Sequence, residues 1–172
     1  ITGFMSEHIK DFLRDGTDLN VSIKYIYNKD YKKDSIFSLL KAKDHIEGPF
    51  IVSMADLFFD SSVISELLEE SQSGKNLVLV DKKVKDARRI EEKAKVLSEG
   101  SQIQQIAFNL DEFNALDCGI YLFQDSIFKT IEEQENSTIQ EVLTSLSKKD
   151  LVHAIDIKEK KIIDVDREKD VE

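Results

Sequence analysis

The run SIFSLLKAKDHIEGPFIVSMADLFFD, residues 35–60, decides the fold class. Ile36, Leu39 and Leu40 recur at helical spacing, so the spacing predicts a helix over 35–46. Gly48-Pro49 stops it, since glycine ends helices readily and proline cannot continue them. Phe50 to Met54 is then a short apolar run, consistent with a strand buried on both faces. Asp60 or Ser61 caps a further helix through Glu70, with Val63, Ile64, Leu67 and Leu68 inward, and Leu77 to Val80 reads as another buried strand. Helix, strand, helix and strand in succession is an α/β pattern.

The neighbouring segments extend that alternation. Upstream, Ser6 to Arg14 reads as a helix with Met5, Ile9, Phe12 and Leu13 on one face, and Val21 to Tyr27 as a β-branched and aromatic strand. Downstream, KVLSEGSQIQQI reads as a hairpin turning at Ser98-Glu99-Gly100, and Asn114 to Phe123 as a strand. Helices follow over Ser126–Glu133 and Ile139–Leu146, then a hairpin over His153–Val165 and the opening of a helix from Asp166 to Glu172. The expectation is one α/β domain over residues 1–172. Its sheet would be mixed and mostly parallel, flanked by helices, with antiparallel hairpins in the C-terminal half.

Composition narrows the function classes. A net charge of −10 argues against nucleic acid or an anionic membrane as partner, because either calls for a basic face. A small anion remains compatible, held by a local site and a metal. The single cysteine, Cys118, excludes an internal disulfide and fits a reducing, cytoplasmic setting. No apolar run reaches the roughly 18 residues of a membrane span. The histidines have no metal-ligand spacing, and neither a phosphate-binding P-loop motif nor a nucleophile elbow is present.

Four places have chemical potential. Asp56 follows the strand FIV, and the carboxyl ends of buried strands are where open α/β sheets bind ligands. A carboxylate there suits Mg²⁺, although taken alone it reads more readily as a loop or cap aspartate. Asp164 and Asp166 lie two apart after Lys161-Ile162-Ile163, so in a strand they share a face and can meet one cation. Taken alone, they read more readily as a solvated strand end with Asp166 capping a helix. Asp117 precedes an apolar strand, and Gly119 within it suggests that something approaches the backbone closely. A polyol gripped by the carboxylate and a bulge with an edge aspartate fit equally well. Lys95 opens a hairpin strand and can point toward a phosphate, or be a surface lysine.

Taken in order, these pieces resemble the sugar-phosphate nucleotidyltransferases, and most nearly the inositol-1-phosphate cytidylyltransferases. YIYNKDYKKDSIFSLLKAK resembles that group's Tyr-Asn pair, Asn-rich turn and SLxxAK, and FIVSMAD its strand ending in a metal aspartate. EEKAKV resembles EATKV, NALDCGIYLF resembles NAxDxGIF, and IIDVDREKDVE resembles WxDVDTPEDL. The resemblance covers essentially the whole chain. It implies a Rossmann-like nucleotidyltransferase fold whose first strand and Gly-rich loop would precede Ile1. It implies Mg²⁺ as cofactor, held by Asp56 and Asp164 with Asp166 nearby, and Lys95 facing substrate phosphate. Asp117 and Gly119 would line the acceptor pocket, with Ser38 and Asp34 near the nucleotide. The reaction would join CTP to inositol-1-phosphate, giving CDP-inositol and pyrophosphate. Phosphocholine or a hexose-1-phosphate with another nucleoside triphosphate are alternatives, as is a degenerate domain that binds without catalysis. The group is often fused to a membrane phosphatidyltransferase-type domain, so such a partner is expected too. Leu57, Ile162, Asp34-Ser35 and Arg167-Glu168 depart from the group's usual residues.

Overall fold

A computed structural model describes residues 1–83, 87–135, 137–167 and 170, with backbone alone at 87–89. Its strands are β1 (Phe50–Ser53), β2 (Leu57–Phe59), β3 (Asn76–Asp81), β4 (Lys95–Glu99), β5 (Gln102–Ala107), β6 (Ala115–Phe123), β7 (Val152–Asp156) and β8 (Ile162–Asp164). The main sheet has the order β1-β6-β3-β7-β5-β4, and β4 pairs back onto β6. The strands β6, β3, β7, β5 and β4 thereby close into a ring, with β1 attached to it; β2 and β8 make a separate two-stranded sheet.

The longest strand, β6, organises the ring because it is apolar on both faces. Tyr121 and Phe123 join Val78, Val80 and Val96 on one side, packed by Ile127, Phe128 and Ile131 of α5 (Ile127–Glu133) and by Val142 and Leu143 of α6 (Ile139–Ser147). Cys118, Ile120 and Leu122 alternate to the other side, where Leu77, Leu79 and Ile157 meet Val63 and Leu67 of α3 (Ser62–Glu69). Two-sided burial at period two is what a strand between two layers requires. The helix α6 starts at a capping box, in which Thr138 accepts from Glu141 N and the Glu141 carboxylate accepts from Thr138 N.

One edge of β6 belongs to β3. The other is divided: β1 pairs with residues 120–123 and β4 with Ala115 and Leu116. Between them, at Asp117 to Gly119, the ladder on that edge is interrupted. Opposite, the pairs Val78–Tyr121 and Val80–Asp117 leave Leu79 facing Cys118, Gly119 and Ile120, a bulge.

Several expectations change here. The sheet is mixed but not mostly parallel: among its described strand pairings only β3–β7 is parallel, because β6 is inserted antiparallel between β1 and β3. The run His153–Val165 is not a hairpin. Ile157 N donates to Val80 O, keeping the first half with the main sheet, and after a turn with Lys158 at φ 59° the second half pairs with β2. Val21–Tyr27 forms no regular strand and bridges only Thr2, at Tyr27. Alternate residues of β1 are exposed or half-buried, so it is not buried on both faces. The helix from Ser35 ends at Lys41 (α2), followed by a single tight turn over Lys43–His45. The helix α1 (Ser6–Leu13) forms, but only Ser6 in it is buried and Phe12 is exposed. The expected helix from Asp166 falls largely outside the described residues. No described helix is long and apolar enough to cross a membrane.

Candidate active site

The break in the edge of β6 is also where two lengths of chain converge. On one side the chain leaves β1: Met54 N donates to Gly119 O (3.1 Å), and Asp56 follows. On the other it enters β4: Asp117 N donates to Ala94 O (2.9 Å), and Lys93 precedes. The backbone of Asp56 is held from a third direction, since its carbonyl accepts from Val165 N (2.8 Å) and Leu57 pairs with Asp164. These bonds gather Asp56, Lys93, Asp117 and Asp164 around a cavity of about 1230 Å³. Asp34, Ser38, Met54, Gly119 and Asp166 line it as well, and an apolar wall of Leu39, Phe50 and Val52 closes one flank.

Every residue singled out in the sequence except Lys95 therefore lies on one cavity. Lys95 is not among its lining residues; its ammonium lies 5.4 Å from the centre of the Phe113 ring. In β4 Val96 and Ser98 are buried while Lys95 and Leu97 are half-buried, and Lys93 lies ahead of the strand, so its direction is not set by the strand's alternation. Of the two lysines flanking Ala94, the one on the cavity is Lys93, whose Nζ lies 2.7 Å from Asp164 Oδ1 with both side chains largely enclosed. Two lysines straddling one alanine gave the sequence no basis for choosing between them.

Asp117 has both carboxylate oxygens engaged within its own strand. Oδ1 accepts from Gly119 N (2.9 Å) and Oδ2 from the Tyr121 hydroxyl (2.6 Å). Burial holds its carboxyl above the ordinary range, opposed by those two bonds and by the nearby Lys93 charge. Burial and then the Asp117 charge push the Tyr121 phenol well up, so the hydroxyl stays a donor. What approaches the backbone at Gly119 is Met54: Gly119 has φ 74°, and a Cβ there would lie 3.0 Å from Met54 Cγ. Asp34 caps α2 by accepting from Ile36 N (3.0 Å), and Ser38 accepts from the amide of buried Asn28 (3.0 Å), fixing that wall.

Acidic residues outnumber lysines around the cavity, and one of those lysines, Lys160, is bonded to Glu66. An anion admitted here needs a further cation. Among the described residues no three carboxylate, histidine or cysteine side chains converge into a ready-made metal cluster.

The fold is that of the nucleotidyltransferases. The inositol-1-phosphate CTP transferase from T. maritima aligns with a TM-score of 0.83 at 19% identity, covering 99% of this chain and 70% of that one. A UDP-glucose pyrophosphorylase complexed with UDP-glucose aligns at 0.79 and 17% identity, covering 99% and 75%. No family model matches the sequence. In sequence, the chain is similar to the bifunctional IPC transferase and DIPP synthase of Aquifex aeolicus, 29% identical over 164 residues, which is 95% of this chain and 36% of that protein. The protein of the same name from Archaeoglobus fulgidus is 28% identical over 128 residues, 74% of this chain and 24% of that one. The chain thus spans well under half the length of these relatives. The resemblance to the sugar-phosphate nucleotidyltransferases, inositol-1-phosphate cytidylyltransferases among them, stands, and it is a resemblance to enzymes.

Proposed function

We propose that the chain carries out metal-assisted transfer of a cytidylyl group from CTP to inositol-1-phosphate or a similar polyol phosphate. The observation that supports this reading most is that Asp56 and Asp164 line one cavity at the break in β6, with Leu57 paired to Asp164 and Asp56 bonded to Val165, and that the cavity is large enough for both substrates. An oxygen of the acceptor phosphate attacks the α-phosphorus of CTP. The bond from that phosphorus to the bridging oxygen breaks on the opposite side, and pyrophosphate leaves with the electron pair. Two anions must meet, so positioning and charge neutralisation are the protein's tasks. Asp56 and Asp164, with Asp166 near, are the residues that would hold Mg²⁺, which would neutralise phosphate charge. Asp56 is fixed through its carbonyl by Val165 N, and Met54 two residues ahead of it by the Gly119 carbonyl. Asp34 and Ser38 stand at the nucleotide side, and Asp117 shapes the acceptor side through Gly119. Lys95, with its ammonium over the Phe113 ring, does not line the cavity and takes no part in this reading.

The relatives' two-part name supports placing this domain within a longer bifunctional protein; a membrane phosphatidyltransferase-type partner domain is part of the same proposal and rests on the resemblance alone. The test is pyrophosphate release with Mg²⁺ and inositol-1-phosphate, supplying each of the four common ribonucleoside triphosphates in turn. Release with CTP alone supports the reading, and Asp56→Ala is expected to lower it far beyond tenfold, a factor worth only about 1.4 kcal/mol in the barrier. Release only with another triphosphate, or only with phosphocholine or a hexose-1-phosphate, moves the activity to another branch. No release with any pair sinks the catalytic reading.

A further inference from the structure

The ion pair Lys93–Asp164 stands where the proposed function needs a metal. Lys93 Nζ is 2.7 Å from Asp164 Oδ1, and the two side chains are only 13% and 23% exposed. A divalent cation and an ammonium cannot both take the same carboxylate oxygen, and at such separations two positive charges repel strongly. Lys93 also cannot drift away from the site, because the neighbouring Ala94 carbonyl is tied to Asp117 N (2.9 Å). Lys93, Asp117 and Asp164 all line the same cavity. An anion entering this acid-rich cavity offers the ammonium another partner.

We propose that Lys93 is a partner-exchanging positioning residue. It bonds Asp164 while no metal is present, and moves to substrate phosphate when a divalent cation takes Asp164. The consequence is coupling: the free protein holds metal weakly, and a bound phosphate group strengthens it by drawing Lys93 off the carboxylate. By linkage the metal strengthens phosphate binding by the same factor. This rests on the proposed placement of the metal at Asp164.

The test is Mn²⁺ binding to the whole chain without nucleotide, followed by the electron paramagnetic resonance of free Mn²⁺. Removing the competing charge in Lys93→Gln is expected to tighten Mn²⁺ binding about threefold to tenfold, the range for losing a partly enclosed ion-pair competitor. Lys93→Met, which keeps the apolar stem, should do the same if Gln is poorly tolerated. Lys93→Arg should bind like wild type, because it restores the competitor. Asp164→Asn should weaken binding in every background. Unchanged or weaker Mn²⁺ binding in both Lys93→Gln and Lys93→Met, alongside a loss in Asp164→Asn, overturns the exchange and leaves the metal site standing. No effect of Asp164→Asn overturns the metal placement and the exchange together.

Discussion

Gly119→Ala probes the join between the sheet and the candidate metal site. Gly119 has φ 74°, a conformation that costs an L-residue about 1–2 kcal/mol. The added methyl would lie 3.0 Å from Met54 Cγ and 3.4 Å from Leu57 Cδ1, inside the usual carbon–carbon separation. Met54 is 45% exposed and unbranched, so it yields, and the contact adds about 1 kcal/mol, the low end for overpacking. Alanine also restricts the unfolded chain, returning about 0.4–1 kcal/mol. The net expectation is a loss of about 1–2.5 kcal/mol. Gly100→Ala is the matched control, because its φ is 61° and no atom lies within 4 Å of the added methyl. Its loss should be about 1 kcal/mol, from backbone strain alone. Urea unfolding of the two variants reads the difference as a lower midpoint at unchanged slope. Moving Met54 also moves Asp56, so Gly119→Ala should lower nucleotidyl transfer by more than tenfold while Gly100→Ala leaves it intact. A Gly119→Ala protein as stable as Gly100→Ala, with full transfer, would refute the argument that Gly119 exists for Met54.

Other outcomes follow from particular contacts. Leu143→Ala removes a fully buried side chain between α6 and the ring and should lower stability by about 2–5 kcal/mol in urea unfolding. Thr138→Ala breaks the capping box and should lose about 0.5–2 kcal/mol, while Ser145→Ala on the same helix serves as a comparison outside the cap. Asp117→Asn should flatten part of the pH dependence of stability. Its folded carboxyl is raised by burial, so the folded state holds the proton more tightly than the unfolded state. The stability it contributes is therefore largest at low pH and is lost as pH rises through the raised value. Relative to wild type, Asp117→Asn should gain stability from acid toward neutral pH, and a pH-independent difference would contradict the burial argument.

Much of this was legible in the sequence for local reasons. The strands β3 and β6 and the helices α3, α5 and α6 announce themselves because each has a complete buried face with its own period. Asp56, Asp117 and Asp164 were found because they follow, begin or end apolar runs. What was not legible depends on partners distant in the chain. Leu57–Phe59 is too short to show a period, and it is a strand only because Ile162–Asp164 pairs with it. The same pairing breaks the expected hairpin. The antiparallel insertion of β6 also leaves no local mark, since a strand buried on both faces has the same composition whichever way it runs. That Lys93 and not Lys95 lines the cavity was not legible either, because the facing of a lysine just ahead of a strand depends on where the strand begins.

The closed ring also bears on how the chain reaches its native state. Among the described strand pairings only the β4–β5 hairpin is local; β1 must find β6 across about seventy residues, as in Phe50 with Phe123, and β3 must find β7 at a similar remove, as in Asn76 with Val152. Loop-closure entropy is paid before such distant pairs are rewarded, which places folding in the millisecond-to-second regime of non-local topologies. Because β6 serves three partners, a slip of one residue along it would misplace all three at once, so its register is settled late and cooperatively. Pulse-labelled hydrogen exchange during refolding should therefore protect amides of β4 and β5 before those of β6. Simultaneous protection of all three would show the hairpin has no head start. The proposed metal ligands are assembled only when β6 is seated, so a chain able to bind Mn²⁺ has already completed its slowest step.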